Sequence, residues 1–122
     1  EANIKKRIEH VCQLIDYAHF PSKSRIWQKA DLLTAMVELD RLLHHDKKSI
    51  DPDVLRDRAQ EFYDAVEDVT RSSSPDPFAA QYYRRVRSGI NDRASRYERG
   101  HAWRSRVLHA EDDRLPLFDL DP

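Results

Sequence analysis

The chain has 122 residues and a formal net charge of −1, from 21 lysines and arginines against 22 acids. Such a length suits one domain with one core, and 35% charged residues with only two glycines favour helices with wide solvated faces over a turn-rich β fold. The single Cys12 excludes an internal disulfide, and no apolar run approaches the roughly 18 residues that span a bilayer.

The expectation is an all-α, cytoplasmic protein with no membrane contact. A compact bundle of about five helices is expected over 1–110, followed by an extended or disordered acidic tail over 111–122. The chain opens at Glu1 without a charged-then-apolar leader, which fits a fragment of a longer protein better than a secreted one.

Asn3 can cap a first helix, in which Ile4, Ile8, Val11, Cys12, Ile15 and Ala18 recur at three- and four-residue steps and predict one core-facing stripe. Cys12 on that stripe reads as a small buried hydrophobe. After Phe20-Pro21-Ser22, the stretch SRIWQKADLLTAMVELDRLLHH places Trp27, Ala30, Leu33 and Val37 over a wide apolar arc, which predicts a central helix touching neighbours on more than one side, with Trp27 in the core.

Asp51 before Pro52 is an N-cap followed by proline at the first helical position. Leu55, Ala59, Phe62, Val66 and Val69 then line one face of a third helix, and Asp57, Glu61, Asp64 and Asp68 form an acidic ridge opposite. A continuous outward ridge is what a solvated face looks like, so no acid-base role is expected of Glu61 and Asp64.

The fourth helix carries Phe78, Tyr82 and Val86 at four-residue steps, with Gly89 as its left-handed C-cap. Asn91 can cap a fifth helix, in which Ala94, Tyr97, His101 and Leu108 share a face and Arg96, Arg99 and Arg106 lie on the far side. Trp103 falls off that apolar stripe and is expected at the surface or at a contact with a partner.

The strongest chemical signal lies in residues 82–108, which hold eight arginines against only Asp92 and Glu98. Planar guanidinium forks in such number suit phosphates and carboxylates and repel one another if left unmatched. Three readings stand: pairing with acids of the same protein or a partner, such as the third-helix ridge or the tail; contact with a nucleic acid or nucleotide; and simple solvation.

The candidate anion- or nucleic-acid-binding residues are Arg84, Arg85, Arg87, Asn91, Arg93, Arg96, Arg99 and Arg106. No catalytic residue, cofactor or metal is expected. His44 and His45 are adjacent and point about 100° apart on a helix, and no histidine pair has the i, i+4 spacing that presents two imidazoles together.

The tail segment RLPLF, residues 114–118, is similar to the Gln-Leu-x-Leu-Phe peptides that dock bacterial sliding clamps, with Arg114 where the glutamine stands. With Trp103, the residues Leu115, Leu117 and Phe118 are therefore candidate partner-binding positions. The alternative function is a replication-associated adaptor that holds a clamp through this tail.

Two stretches, WQKADLLTAMVELDRLL and GINDRASRYERG, together resemble the C-terminal helical region of bacterial defence proteins with a ParB-like N-terminal domain, the class related to GmrSD-type restriction enzymes. The likeness covers roughly residues 20–108. In that family an Asp-Gly-Gln-Gln-Arg motif and a His-Asn-His nuclease carry the chemistry, and neither is present in these 122 residues. The resemblance implies a non-catalytic helical module of a prokaryotic DNA-restricting protein. It implies as partners an N-terminal catalytic domain or a separate protein, and DNA. Asn91, Asp92, Arg93, Ser95, Arg96 and Arg99 are the positions it would place at such a contact.

Overall fold

The computed structural model describes residues 2–87 and 92–109. They are all-α, 77% helical, with no strand among the described residues. Five helices run in order: α1 Ala2–Ala18, α2 Lys29–Asp40, α3 Pro52–Glu67, α4 Pro77–Arg87 and α5 Arg93–Trp103. A 3-10 turn at Arg25–Trp27 precedes α2, and short π-helical segments, Arg41–His45 and Arg104–Leu108, prolong α2 and α5.

Local chemistry explains most of the boundaries. Asp51 accepts from the amides of Asp53 and Val54 at 3.0 and 3.2 Å, with Pro52 entering α3. Asp76 accepts from the amide of Ala79 at 2.9 Å as α4 begins. At the start of α5 the cap seen is Asp92, which accepts from the amide of Ser95 at 2.8 Å; Asn91 and the proposed C-cap Gly89 lie outside the described residues. Left-handed backbone is taken elsewhere by His19, Lys47 and His109, with φ of 56°, 57° and 53°.

The helix pairings close a ring. α1 packs on α2 and α3, α2 on α5, α5 on α4, and α4 back on α3, while the π segment after α5 also meets α3. Inside sit Val11, Leu14, Ile15, Leu39, Leu55, Ala59, Phe62, Tyr63, Val66, Ala79, Tyr82, Ala102, Trp103 and Val107. The link from α1 to α2 is laid along α3: Arg56 donates to the carbonyl of Ala18 at 3.0 Å, Ser24 Oγ donates to Gln60 at 2.5 Å, and Arg25 reaches Glu67 at 3.8 Å.

The third and fourth helices present the faces that periodicity predicts, with Phe78 and Val86 partly buried beside the core. Other expectations are corrected. In α1, Val11 rather than Cys12 turns inward, and residues 3–10 are exposed, Ile4 and Ile8 included. α2 is one member of the ring and not its centre: Leu33 and Val37 are 42% and 49% exposed, while Asp31, Thr34 and Glu38 point in.

Trp27 lies in the 3-10 turn and is 45% exposed, its indole donating to the carbonyl of Pro21 at 2.9 Å. In α5 the buried positions are Ser95, Arg99, Gly100, Ala102 and Trp103, so the expected face is displaced. Ala94 is exposed, Tyr97 and His101 are half-buried, and Trp103, expected outside, is fully buried.

Candidate functional site: a buried polar layer beneath an arginine corner

Beside Ala35 and Leu39, α2 turns a polar stripe inward. Asp31, Thr34 and Glu38 recur at steps of three and four, which places them on one stripe of the helix, and all three are buried. A buried polar group is costly unless hydrogen-bonded, and partners arrive from segments distant in sequence.

Tyr82 of α4 donates to Asp31 Oδ1 at 2.6 Å, and Arg25 Nε lies 3.3 Å from both carboxylate oxygens. Arg99 of α5 donates to Thr34 Oγ1 at 3.4 Å, and that hydroxyl donates onward to the carbonyl of Ala30 at 2.9 Å. Arg104 Nη1 and Glu38 Oε1 form an ion pair at 2.5 Å with both side chains almost wholly buried. At the edge of this layer Trp103 donates to the hydroxyl of Tyr63 at 3.0 Å.

Electrostatics follow from burial. Desolvation pushes the Asp31 carboxyl above the ordinary range, opposed by the Tyr82 hydrogen bond and by Arg25 and Arg99. The hydroxyls of Tyr82 and Tyr63 are raised for the same first reason. An acid and a tyrosine so perturbed would suggest proton transfer if they faced a cleft. Two surface depressions flank His109, one against Leu42, Ile50 and Arg58 and the other against Phe62, Asp76 and Arg106, and neither reaches Asp31 or Tyr82. The layer therefore has the character of an internal joint.

The eight arginines divide between inside and outside. Arg99 and Arg104, 3% and 2% exposed, belong to the buried layer. Placing Arg99 outside overlooked that a guanidinium can be buried when hydroxyls and carboxylates of another helix receive it.

Arg85 makes a two-pronged pair with Glu98 across the α4–α5 contact, at 2.8 and 2.9 Å. Arg106 grips Asp76 and lies over the ring of Phe78, 4.6 Å from its centroid. Of the predicted anion-binding set, Arg85, Arg99 and Arg106 thus hold the bundle together. Their partners include Glu98, Thr34 and Asp76, and on the α3 ridge Asp57 takes Arg56 and Asp68 takes Arg71.

Arg84, Arg87, Arg93 and Arg96 are exposed. All four lie in the last turns of α4 or the first turn of α5, and Arg87 also covers the Tyr83 ring at 5.9 Å. With Arg85 they set five guanidinium groups against two carboxylates, Asp92 and Glu98, within residues 84–98. Three of the five sit in the final turn of α4, where positive charge complements the helix dipole.

Comparison of the chain with protein-family models, curated proteins and solved structures returns no match. Among the described residues no helix is long and apolar enough to cross a membrane, and no three or more His, Cys, Asp or Glu side chains converge as metal ligands. The proposed partner-binding residues Leu115, Leu117 and Phe118 lie outside the described residues. Trp103 does not belong with them: its place is in the core, bonded to Tyr63.

Sequence reasoning missed Arg25, Asp31, Glu38 and Arg104 as a linked set. The usable signal was the three-four spacing of Asp31, Thr34 and Glu38, which a hydropathy reading assigns to solvent.

Proposed function

We propose that the chain is a non-catalytic helical docking module that presents an arginine corner, built by Arg84, Arg87, Arg93 and Arg96, to an anionic surface. The observation that carries this reading is the division of the arginines. Arg99 and Arg104 are buried, whereas these four are exposed in the last turns of α4 and the first turn of α5. Guanidinium forks so placed meet phosphates or carboxylates in two-pronged fashion, and concentrated like charge raises the rate of encounter with an oppositely charged surface. The resemblance of residues 20–108 to the helical region of ParB-like, GmrSD-related defence proteins supports a partner of the DNA-restricting kind, either DNA itself or the acidic face of a catalytic domain.

The test is binding of a fluorescent DNA duplex measured by anisotropy at several salt concentrations. Each phosphate neutralised contributes about −0.9 to the log-log slope, so full engagement of four arginines gives roughly −3.6. Replacing the four by glutamine should abolish binding and flatten the slope. Retention of the variant on both duplex DNA and a heparin column at the same salt as the parent chain would refute the arginine corner as a docking surface. Loss of heparin binding without any DNA binding by the parent would direct the search to an acidic protein partner.

A further inference from the structure

Two histidines that sequence spacing keeps apart meet in space. His10 on α1 and His44 in the π segment after α2 approach with Nδ1 of the first 3.1 Å from Nε2 of the second; their rings lie edge to face, with centroids 5.1 Å apart. His44 Nδ1 is 2.9 Å from Asp40 Oδ1. A carboxylate can only accept, so His44 Nδ1 carries the proton and its Nε2 offers a lone pair outward. Asp40 is in turn gripped by Arg7, which donates from Nε at 3.1 Å and from Nη2 at 2.6 Å. Single-turn π insertions in helices are rare and occur often at functional sites, and here one carries His44.

We propose that His10 Nδ1 and His44 Nε2 form a two-histidine site for a divalent transition-metal ion of the zinc class, with Asp40 as the positioning group behind His44. Zinc binds imidazole nitrogen at about 2.0–2.1 Å in tetrahedral geometry, which requires two ligand nitrogens about 3.3 Å apart. The observed 3.1 Å needs an opening of only a few tenths of an ångström. In the metal-free pair His10 donates its Nδ1 proton to His44. On binding, that proton leaves Nδ1 and the other ring nitrogen takes one from solvent, so the neutral ring changes tautomer and both lone pairs converge on the ion.

A carboxylate holding the far side of a ligating histidine is the usual support for such a ligand, fixing both tautomer and ring angle. His10 is exposed and His44 partly so, which gives the ion access from solvent. With two protein ligands the remaining positions are filled by water, and exchange is fast. This site stands apart from the arginine corner and does not rest on that reading.

The experiment is calorimetric titration of the whole chain with zinc chloride, repeated with cobalt(II) followed by its visible absorption, which intensifies when the ion becomes tetrahedral. His10→Ala and His44→Ala should each weaken zinc binding at least tenfold, and the double variant should be no worse than either single one. Asp40→Asn should weaken it by roughly 10- to 100-fold, the range seen when a supporting carboxylate is lost. His45→Ala, at the exposed neighbour in sequence, should bind as the parent does. Thermal melts by circular dichroism establish that each variant is folded. Binding unchanged in both His10→Ala and His44→Ala, or a loss in His45→Ala as large as in His44→Ala, overturns the site.

Discussion

Gly100 faces Glu38 across the α2–α5 contact, and a Cβ built there would fall within the space of the Glu38 carboxylate. The substitution Gly100→Ala therefore sets two effects against each other. Alanine in a helix interior is favoured over glycine by about 1 kcal/mol. Against that, the methyl displaces a carboxylate that is almost wholly buried and paired with Arg104 at 2.5 Å; breaking a buried ion pair costs on the order of 3–5 kcal/mol, because a desolvated charge is left without its partner. The second effect wins, and the net destabilisation is about 2–4 kcal/mol. For a domain of this length that lowers Tm by on the order of 10 °C.

The assay is urea denaturation followed by far-UV circular dichroism, with a double-mutant cycle as its control. In a Glu38→Ala background there is no carboxylate to displace, so adding Gly100→Ala should now stabilise by about 1 kcal/mol. The sign of one substitution thus depends on the presence of the other side chain. If Gly100→Ala stabilises the parent chain as well, the tight seating of Glu38 between α5 and Arg104 is wrong, and so is the account of the buried layer.

Removing the Tyr82 hydroxyl by Tyr82→Phe should cost about 1–3 kcal/mol at pH 7, since Asp31 loses a buried donor. That bond holds down an Asp31 carboxyl otherwise raised by burial, so the deficit should shrink in denaturation curves taken at lower pH, where the folded chain keeps Asp31 protonated. Asp76, Asp92 and Glu98 are held below the ordinary range, chiefly by hydrogen bonds from Arg106, the Ser95 backbone and Arg85 respectively. Depressed carboxylates add stability above their unfolded pKa and lose it as pH falls through the folded one, so stability should decline below about pH 4. Arg106→Ala should make that decline shallower by removing the share of Asp76. The tryptophans should separate in acrylamide quenching: Trp27→Phe leaves the buried Trp103 with blue-shifted, protected emission, and Trp103→Phe leaves the accessible Trp27. Equal quenching in the two variants would contradict the placement of both residues.

The third helix was the most legible part of the chain because every local signal agreed there. Asp51 and Pro52 fix its start, and Leu55, Ala59, Phe62 and Val66 repeat at helical steps opposite charged residues, so propensity and burial point the same way. The second and fifth helices were misread for one shared reason. Each buries polar side chains whose partners lie far along the chain, 65 and 66 residues apart for Arg99–Thr34 and Arg104–Glu38. Hydropathy assigns such residues outward one helix at a time and turns the apolar ones, Leu33 and Val37, inward by default. His10 and His44 escaped notice similarly: a rule based on i, i+4 spacing within one helix does not find a pair assembled from two.

The buried polar layer and the exposed arginine corner are consequences of one arrangement. An apolar seam between α2 and α5 would tolerate a slip of one turn, about 5.4 Å along the axis, because methyl groups pack against methyl groups in many registers. Asp31, Thr34 and Glu38 tolerate no such slip: a one-turn displacement would carry Arg104 away from Glu38 and Arg99 away from Thr34, leaving buried charges unmatched at several kcal/mol each. With Ser95 and Arg99 committed to the inside, the first turn of α5 has one orientation left, and Arg93 and Arg96 come to solvent. The Arg85–Glu98 pair ties α4 to α5. Buried charge in this chain therefore sets the orientation of surface charge, which is why an arginine-rich segment in a nearly neutral protein can be part internal joint and part exposed surface.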